Sequence, residues 1–139
     1  MGDAIHSTKQ VSGWGDLIDA YCARDWSGWA FRGLPDGSWL LKPSLEREVI
    51  DRLGCEPARM SRVEADLLRE FRRHYRRYST SVPDEQDMME WWSIMQHYGA
   101  PTRLLDFSYS FWIGAHFAVD DLDPSRTRTC AIWAFDCRW

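Results

Sequence analysis

The spacing of apolar and polar positions divides the chain into alternating helices and strands. Behind Ser12, a candidate N-cap, Trp14, Leu17, Ile18 and Tyr21 recur at helical spacing and predict a short helix ending near Arg24, before Gly28 breaks it. Trp29-Ala30-Phe31-Arg32-Gly33-Leu34 alternates large apolar residues with small or charged ones and stops at Pro35-Asp36-Gly37. It reads as a strand running into a hairpin-like loop, with Arg32 on the face opposite Phe31. After Pro43, Ser44 is placed to cap a helix of about two turns that Gly54 stops. Val63, Leu67, Phe71, Tyr75 and Tyr78 line one side of a helix over 61–78 whose other side is charged. A further helix begins near Asp84, buries Met88, Trp91, Trp92 and Met95, and stops at Gly99 with Pro101 beyond it. Residues 102–107 read as a buried strand, 111–119 as an apolar helix and 129–135 as a strand rich in Cys, Ile, Trp and Phe.

That order predicts an α+β fold, a small mixed sheet flanked by about five helices. The chain ends at Trp139, soon after a strand, so the sheet is expected to be incomplete. Residues 1–11 read as a flexible lead-in and residues 12–139 as one domain, long enough to bury a single core.

Composition narrows the function. No apolar run approaches the roughly 20 residues a membrane helix needs, and Met1 to Gln10 lack the apolar core of a signal peptide, so a soluble, cytoplasmic protein without a membrane partner is expected. Cys22, Cys55, Cys130 and Cys137 stand far apart with no C-x-x-C pair, which signals neither a disulfide framework nor a zinc site, and no metal ligands are assigned. A net charge of −4 argues against nucleic-acid binding over the whole surface. Nine tryptophans make an aromatic-lined pocket or a Trp-rich protein interface the more natural way to meet a partner.

The candidate chemistry is carried by arginines. Arg32 can fork onto phosphate or carboxylate beside Gly33, whose missing side chain lets a ligand come close; it can equally form a structural pair with Asp106. On a strand, Arg103 and Asp106 point to opposite faces, so Asp106 needs another cation, Arg32 or Arg47. His97 falls in the last turn of its helix, suited to a protonated imidazole or to plain packing. His116, on the apolar helix, reads as a core histidine. Ser79-Thr80-Ser81 reads as turn chemistry after a helix. The arginines crowding the end of the 61–78 helix read either as a patch for RNA, DNA or an acidic partner, or as a solvated face that complements the helix dipole.

Three segments together, WAFRGL at 29–34, LLKPSLER at 40–47 and QHYGAPTRLLDFSYSFWIGAHFAV at 96–119, resemble the FRG domain family, named for its Phe-Arg-Gly motif. The resemblance implies an FRG strand, a Pro-Ser-Leu-x-Arg segment and a His-x-Gly-x-Pro-Thr-Arg-Leu-Leu-Asp stretch leading into an Ala- and Phe-rich helix. Departures are Lys42 ahead of Pro43, Phe107 where Trp is frequent, and the lack of Asn-Pro near the start of the 111–119 helix. FRG domains resemble components of prokaryotic mobile elements and of phage conflict. The aromatic-Arg-Gly strand, followed later by serines and a helix, is also similar to the ADP-ribosyltransferase fold. That likeness implies Arg32 as a clamp on the NAD phosphates and Ser108 or Ser110 as the second-motif hydroxyl. The glutamate that such enzymes place on a later strand has no counterpart, because no Glu follows Glu90.

The expectation is an arginine-lined polar pocket for a nucleotide-like ligand, with NAD as a candidate substrate or ligand and no required cofactor. Its ligand-binding candidates are Arg32, Gly33, Ser44, Arg47, His97, Arg103, Asp106 and Ser108. No catalytic residue is assigned; transfer chemistry, if present, would consume NAD. The alternative is a noncatalytic module that meets a protein through its tryptophan-rich surface or basic helix.

Overall fold

A computed structural model describes residues 7–120, 122–123, 125 and 129–138. The elements are α1 (Trp14–Cys22), β1 (Trp29–Leu34), α2 (Ser44–Glu46), a π-helical continuation Arg47–Arg52, a 3-10 turn Pro57–Arg59, α3 (Met60–Tyr75), α4 (Met88–His97), α5 (Phe111–Asp120) and β2 (Ala131–Asp136). Five helices beside a two-stranded antiparallel sheet make a small α+β fold. No helix among the described residues is long and apolar enough to cross a membrane. Residues 1–6 of the expected lead-in lie outside the described residues.

β1 is the organising strand. It pairs along its whole length with β2, from Trp29 opposite Asp136 to Leu34 opposite Ala131. Its other edge is touched at one point, where Phe31 and Ser108 exchange both backbone hydrogen bonds at 2.7 and 2.8 Å. The turn after β1 therefore does not open a hairpin: the partner strand arrives about a hundred residues later, and Gly37 N–H bonds Thr129 O at 2.9 Å instead. Phe31 and Gly33 face α5. A Cβ at Gly33 would lie 2.0 Å from the Gly114 carbonyl oxygen, so only glycine lets the helix backbone settle onto the strand.

Two apolar clusters result. The first joins Phe31, Phe111 and Ala115 to Leu17, Tyr21, Trp26, Trp29 and Ile132, with Phe31 edge-on to Phe111 at a ring separation of 5.4 Å. The second joins Leu68, Trp91 and Met95 to Leu67, Phe71, Tyr75, Met88, Trp92 and Ala100 between α3 and α4. Trp91 is fully buried and its indole N–H donates to Asp84 O at 2.9 Å, so its burial leaves no donor unmet.

Four further local expectations are corrected. Residues 102–107 form no strand, because the Thr102 N–H and carbonyl, the groups a ladder would use, are bonded to Ser44 and Leu45. Tyr78 is exposed beyond the end of α3 rather than on its apolar stripe. His116 is exposed on α5, 3.9 Å from Asp120, because the buried face of that helix is Phe111, Gly114, Ala115 and Ala118. At the first helix, Ser12 donates to the Asp16 carboxylate at 2.8 Å instead of accepting from the helix backbone.

Candidate functional site

The alternation of β1 sends Arg32 to the face away from α5, half-buried. Its Nη1 donates to the backbone carbonyl of Asp106 at 2.7 Å, while its Nε is sealed from solvent with no partner. Burial pulls the Arg32 guanidinium below its ordinary value; Asp106 partly offsets this, and the like charge of Arg47 adds to it. The ion stays protonated at any ordinary pH.

The Asp106 side chain turns elsewhere. It is exposed, and its Oδ2 accepts from Gln96 Nε2 at 2.5 Å. The Gln96 amide oxygen in turn accepts from Thr102 Oγ1 at 2.6 Å. Thr102 is fully buried and locked to the start of α2: its N–H donates to Ser44 Oγ at 3.0 Å, Ser44 Oγ donates to its carbonyl at 3.2 Å, and Leu45 N–H reaches the same carbonyl at 3.0 Å. Ser44 thus clamps the 102 segment rather than capping its own helix, whose N-cap is Pro43. A polar relay runs Ser44, Thr102, Gln96, Asp106, and through the Asp106 carbonyl to Arg32.

Arg47 stands at the start of the π-helical stretch, exposed, with its Nη1 donating to Lys42 O at 2.5 Å. Lys42 takes the local carboxylates, Asp51 at 3.0 Å and Glu46 at 3.8 Å, which hold its ammonium above the usual lysine value. Among the described residues, neither Arg32 nor Arg47 is ion-paired to a carboxylate. Each of these two guanidiniums is thus held by a backbone carbonyl, Arg32 by that of Asp106 and Arg47 by that of Lys42.

Four of the sequence candidates lie elsewhere. Arg103 turns away to form a two-pronged pair with Glu64, buried on α3, and its guanidinium stacks over Trp92 at 4.9 Å. The pair raises the Arg103 guanidinium further above its ordinary value. His97 is exposed in the last turn of α4, its ring edge-on to Tyr98 at 5.4 Å. Ser108 Oγ accepts from Ser110 N–H at 3.0 Å ahead of α5. The close approach that Gly33 permits is taken by α5, on the side opposite Arg32. Gln96, Thr102 and Glu64 are the polar residues that sequence reasoning passed over. A signal existed for Glu64: it falls four residues from Met60 and from Leu68, a charge on the inward side of α3.

The fold and this arginine face define an α+β domain built around one strand whose Phe packs inward, whose Arg is offered to the opposite face and whose Gly admits a helix. The FRG domain family matches residues 27–127, so the chain belongs to the FRG domain family. No curated protein and no solved structure matches it.

Proposed function

We propose that the Arg32–Arg47 face recognises an anionic, nucleotide-like ligand, with the phosphates of a dinucleotide such as NAD as the group the guanidiniums hold. The observation carrying this reading is a half-buried Arg32 with an orphaned Nε, held by the Asp106 carbonyl at 2.7 Å and, among the described residues, in ion-pair contact with no carboxylate. Such an arrangement costs stability unless an anion offsets it. The relay from Ser44 to Asp106 supports the reading as well, because it fixes the carbonyl that aims Arg32. The proposal ends at recognition: Asp106, the carboxylate beside Arg32, is held by Gln96, and no transfer step is assigned to it. The ADP-ribosyltransferase likeness contributes only the choice of NAD as first ligand to try.

A second reading has its own support. Trp112, Ile113 and Phe117 on α5, with Trp133 and Phe135 on β2, leave large apolar side chains exposed, which suits a noncatalytic module that meets a protein. The role in prokaryotic mobile elements or phage conflict belongs with either reading.

Thermal-shift titrations with NAD, ADP-ribose and ATP separate them. Stabilisation of the wild type that is lost in Arg47→Glu and reduced in Arg32→Lys supports nucleotide recognition. Arg47 is exposed, so its replacement leaves the unliganded melting temperature nearly unchanged. A flat response of the wild type to all three ligands sinks the first reading and favours the second.

A further inference from the structure

A groove of about 560 Å³ runs along α3, away from Arg32, with α4 and the turn before it as its second wall. We propose that this groove docks an acidic, amphipathic peptide segment of a partner protein, independently of any nucleotide. Its floor is apolar, formed by Leu68, Met88 and Trp92, while Arg69, Arg73 and Arg76 rise along its α3 side. Residues 59–77 hold seven arginines against three carboxylates, a local net of +4 in a chain whose total is −4. The basic charge is therefore concentrated on α3 and its two ends, and three of the seven arginines, Arg69, Arg73 and Arg76, stand along one side of the groove.

The pairing of those arginines leaves them available. Arg69 meets Asp66 at 2.9 Å, Arg73 meets Glu70 at 2.6 Å and Arg76 meets Glu85 at 2.5 Å, all between exposed side chains. Such pairs contribute little, so a partner's carboxylates can compete for the guanidiniums at small cost. Arg72 is different: its Nη2 donates to Glu85 O at 2.8 Å and its guanidinium lies over Trp91 at 4.9 Å, so it braces the wall. The lip residues 69, 73 and 76 rise at about 6 and 4.5 Å along the helix axis, the spacing of i, i+4 and i+7 carboxylates on a facing helix.

Peptide is favoured over nucleic acid for two reasons. Asp66, Glu70 and Glu85 along the rim repel a continuous phosphate backbone more than spaced carboxylates that can interleave with them. The Trp92 ring, the aromatic of the floor, already has Arg103 over one face, which removes a stacking platform for bases.

The test is fluorescence anisotropy with a fluorescein-labelled synthetic helix carrying one stripe of Leu and one of Glu, against the wild type and Arg73→Glu/Arg76→Glu. Saturable binding that weakens with added salt and falls about tenfold or more in the double variant is the expected result. Both positions are exposed, so the variant keeps the wild-type circular dichroism. The idea is overturned by three results: no saturable binding of the Glu peptide, equal affinity for a version with Lys in place of Glu, or binding of oligo(dT) without binding of the peptide.

Discussion

Adding one methyl group at position 33 would place a carbon 2.0 Å from the Gly114 oxygen and 2.3 Å from the Ala118 nitrogen. Both are backbone atoms of α5 and cannot swing aside, so Gly33→Ala forces the helix off the strand. The expected loss is about 3 kcal/mol or more in urea unfolding. Gly114→Ala is the contrast, since its new carbon meets the Phe31 Cβ at 3.0 Å, a contact that a few tenths of an ångström relieve. Its loss should be clearly smaller, and equal losses would refute the close-approach account. Thr102→Val keeps the shape of a fully buried side chain but strips the Gln96 amide oxygen of its donor and Leu104 N–H of its acceptor. About 1–3 kcal/mol should be lost, and Gln96→Leu should cost less in this background than in the wild type, because the Thr102–Gln96 bond is already gone and only the exposed bond to Asp106 remains to lose.

Between elements, the Glu64–Arg103 pair ties α3 to the segment after α4. Glu64 is only 6% exposed, so Arg103→Met leaves a buried carboxylate with neither of its two donors. Arg103 itself is about half exposed, which admits some water, so a loss of about 2 kcal/mol is expected rather than the larger figure for a sealed pair. The double change Glu64→Leu/Arg103→Met should recover much of that loss, because Leu suits the inward side of α3 beside Leu68. A double variant no more stable than Arg103→Met alone would show that the pair holds the loop rather than merely satisfying Glu64. The β1–β2 ladder joins residues about a hundred positions apart. Folding is therefore expected to be slower than for a helical bundle of this size.

Over the whole molecule, the acid limb of stability is set by exposed aspartates at turns and ends. Asp16, Asp25, Asp36 and Asp123 are held below the usual carboxylate value by serine hydroxyls, and Asp136 is held at about 2, chiefly by its hydrogen bond from Arg138. Each binds fewer protons when folded, so the stability they add is present above about pH 4 and drains away as the pH falls toward 2. Single contributions are small at such exposure, and the sum is what a melting curve reads. The melting temperature should be level near neutrality and fall below about pH 4, with Asp136→Asn flattening part of the decline. A melting temperature that held steady down to pH 2 would contradict this.

The local pattern of the chain was enough to determine the helices, the Trp29–Leu34 strand, and the opposition of Phe31 and Arg32 across it. It also made the ordered FRG motifs legible, because periodicity and turn residues act over a few positions. Which charges meet was decided by tertiary structure. Arg103 left the expected cluster for Glu64, 39 residues earlier, Asp106 was taken by Gln96, and the Thr102 backbone was claimed by Ser44 instead of a strand. A side chain's face follows from its own neighbours in sequence, but its partner depends on where distant helices come to rest, and a buried carboxylate such as Glu64 binds whichever cation that packing delivers.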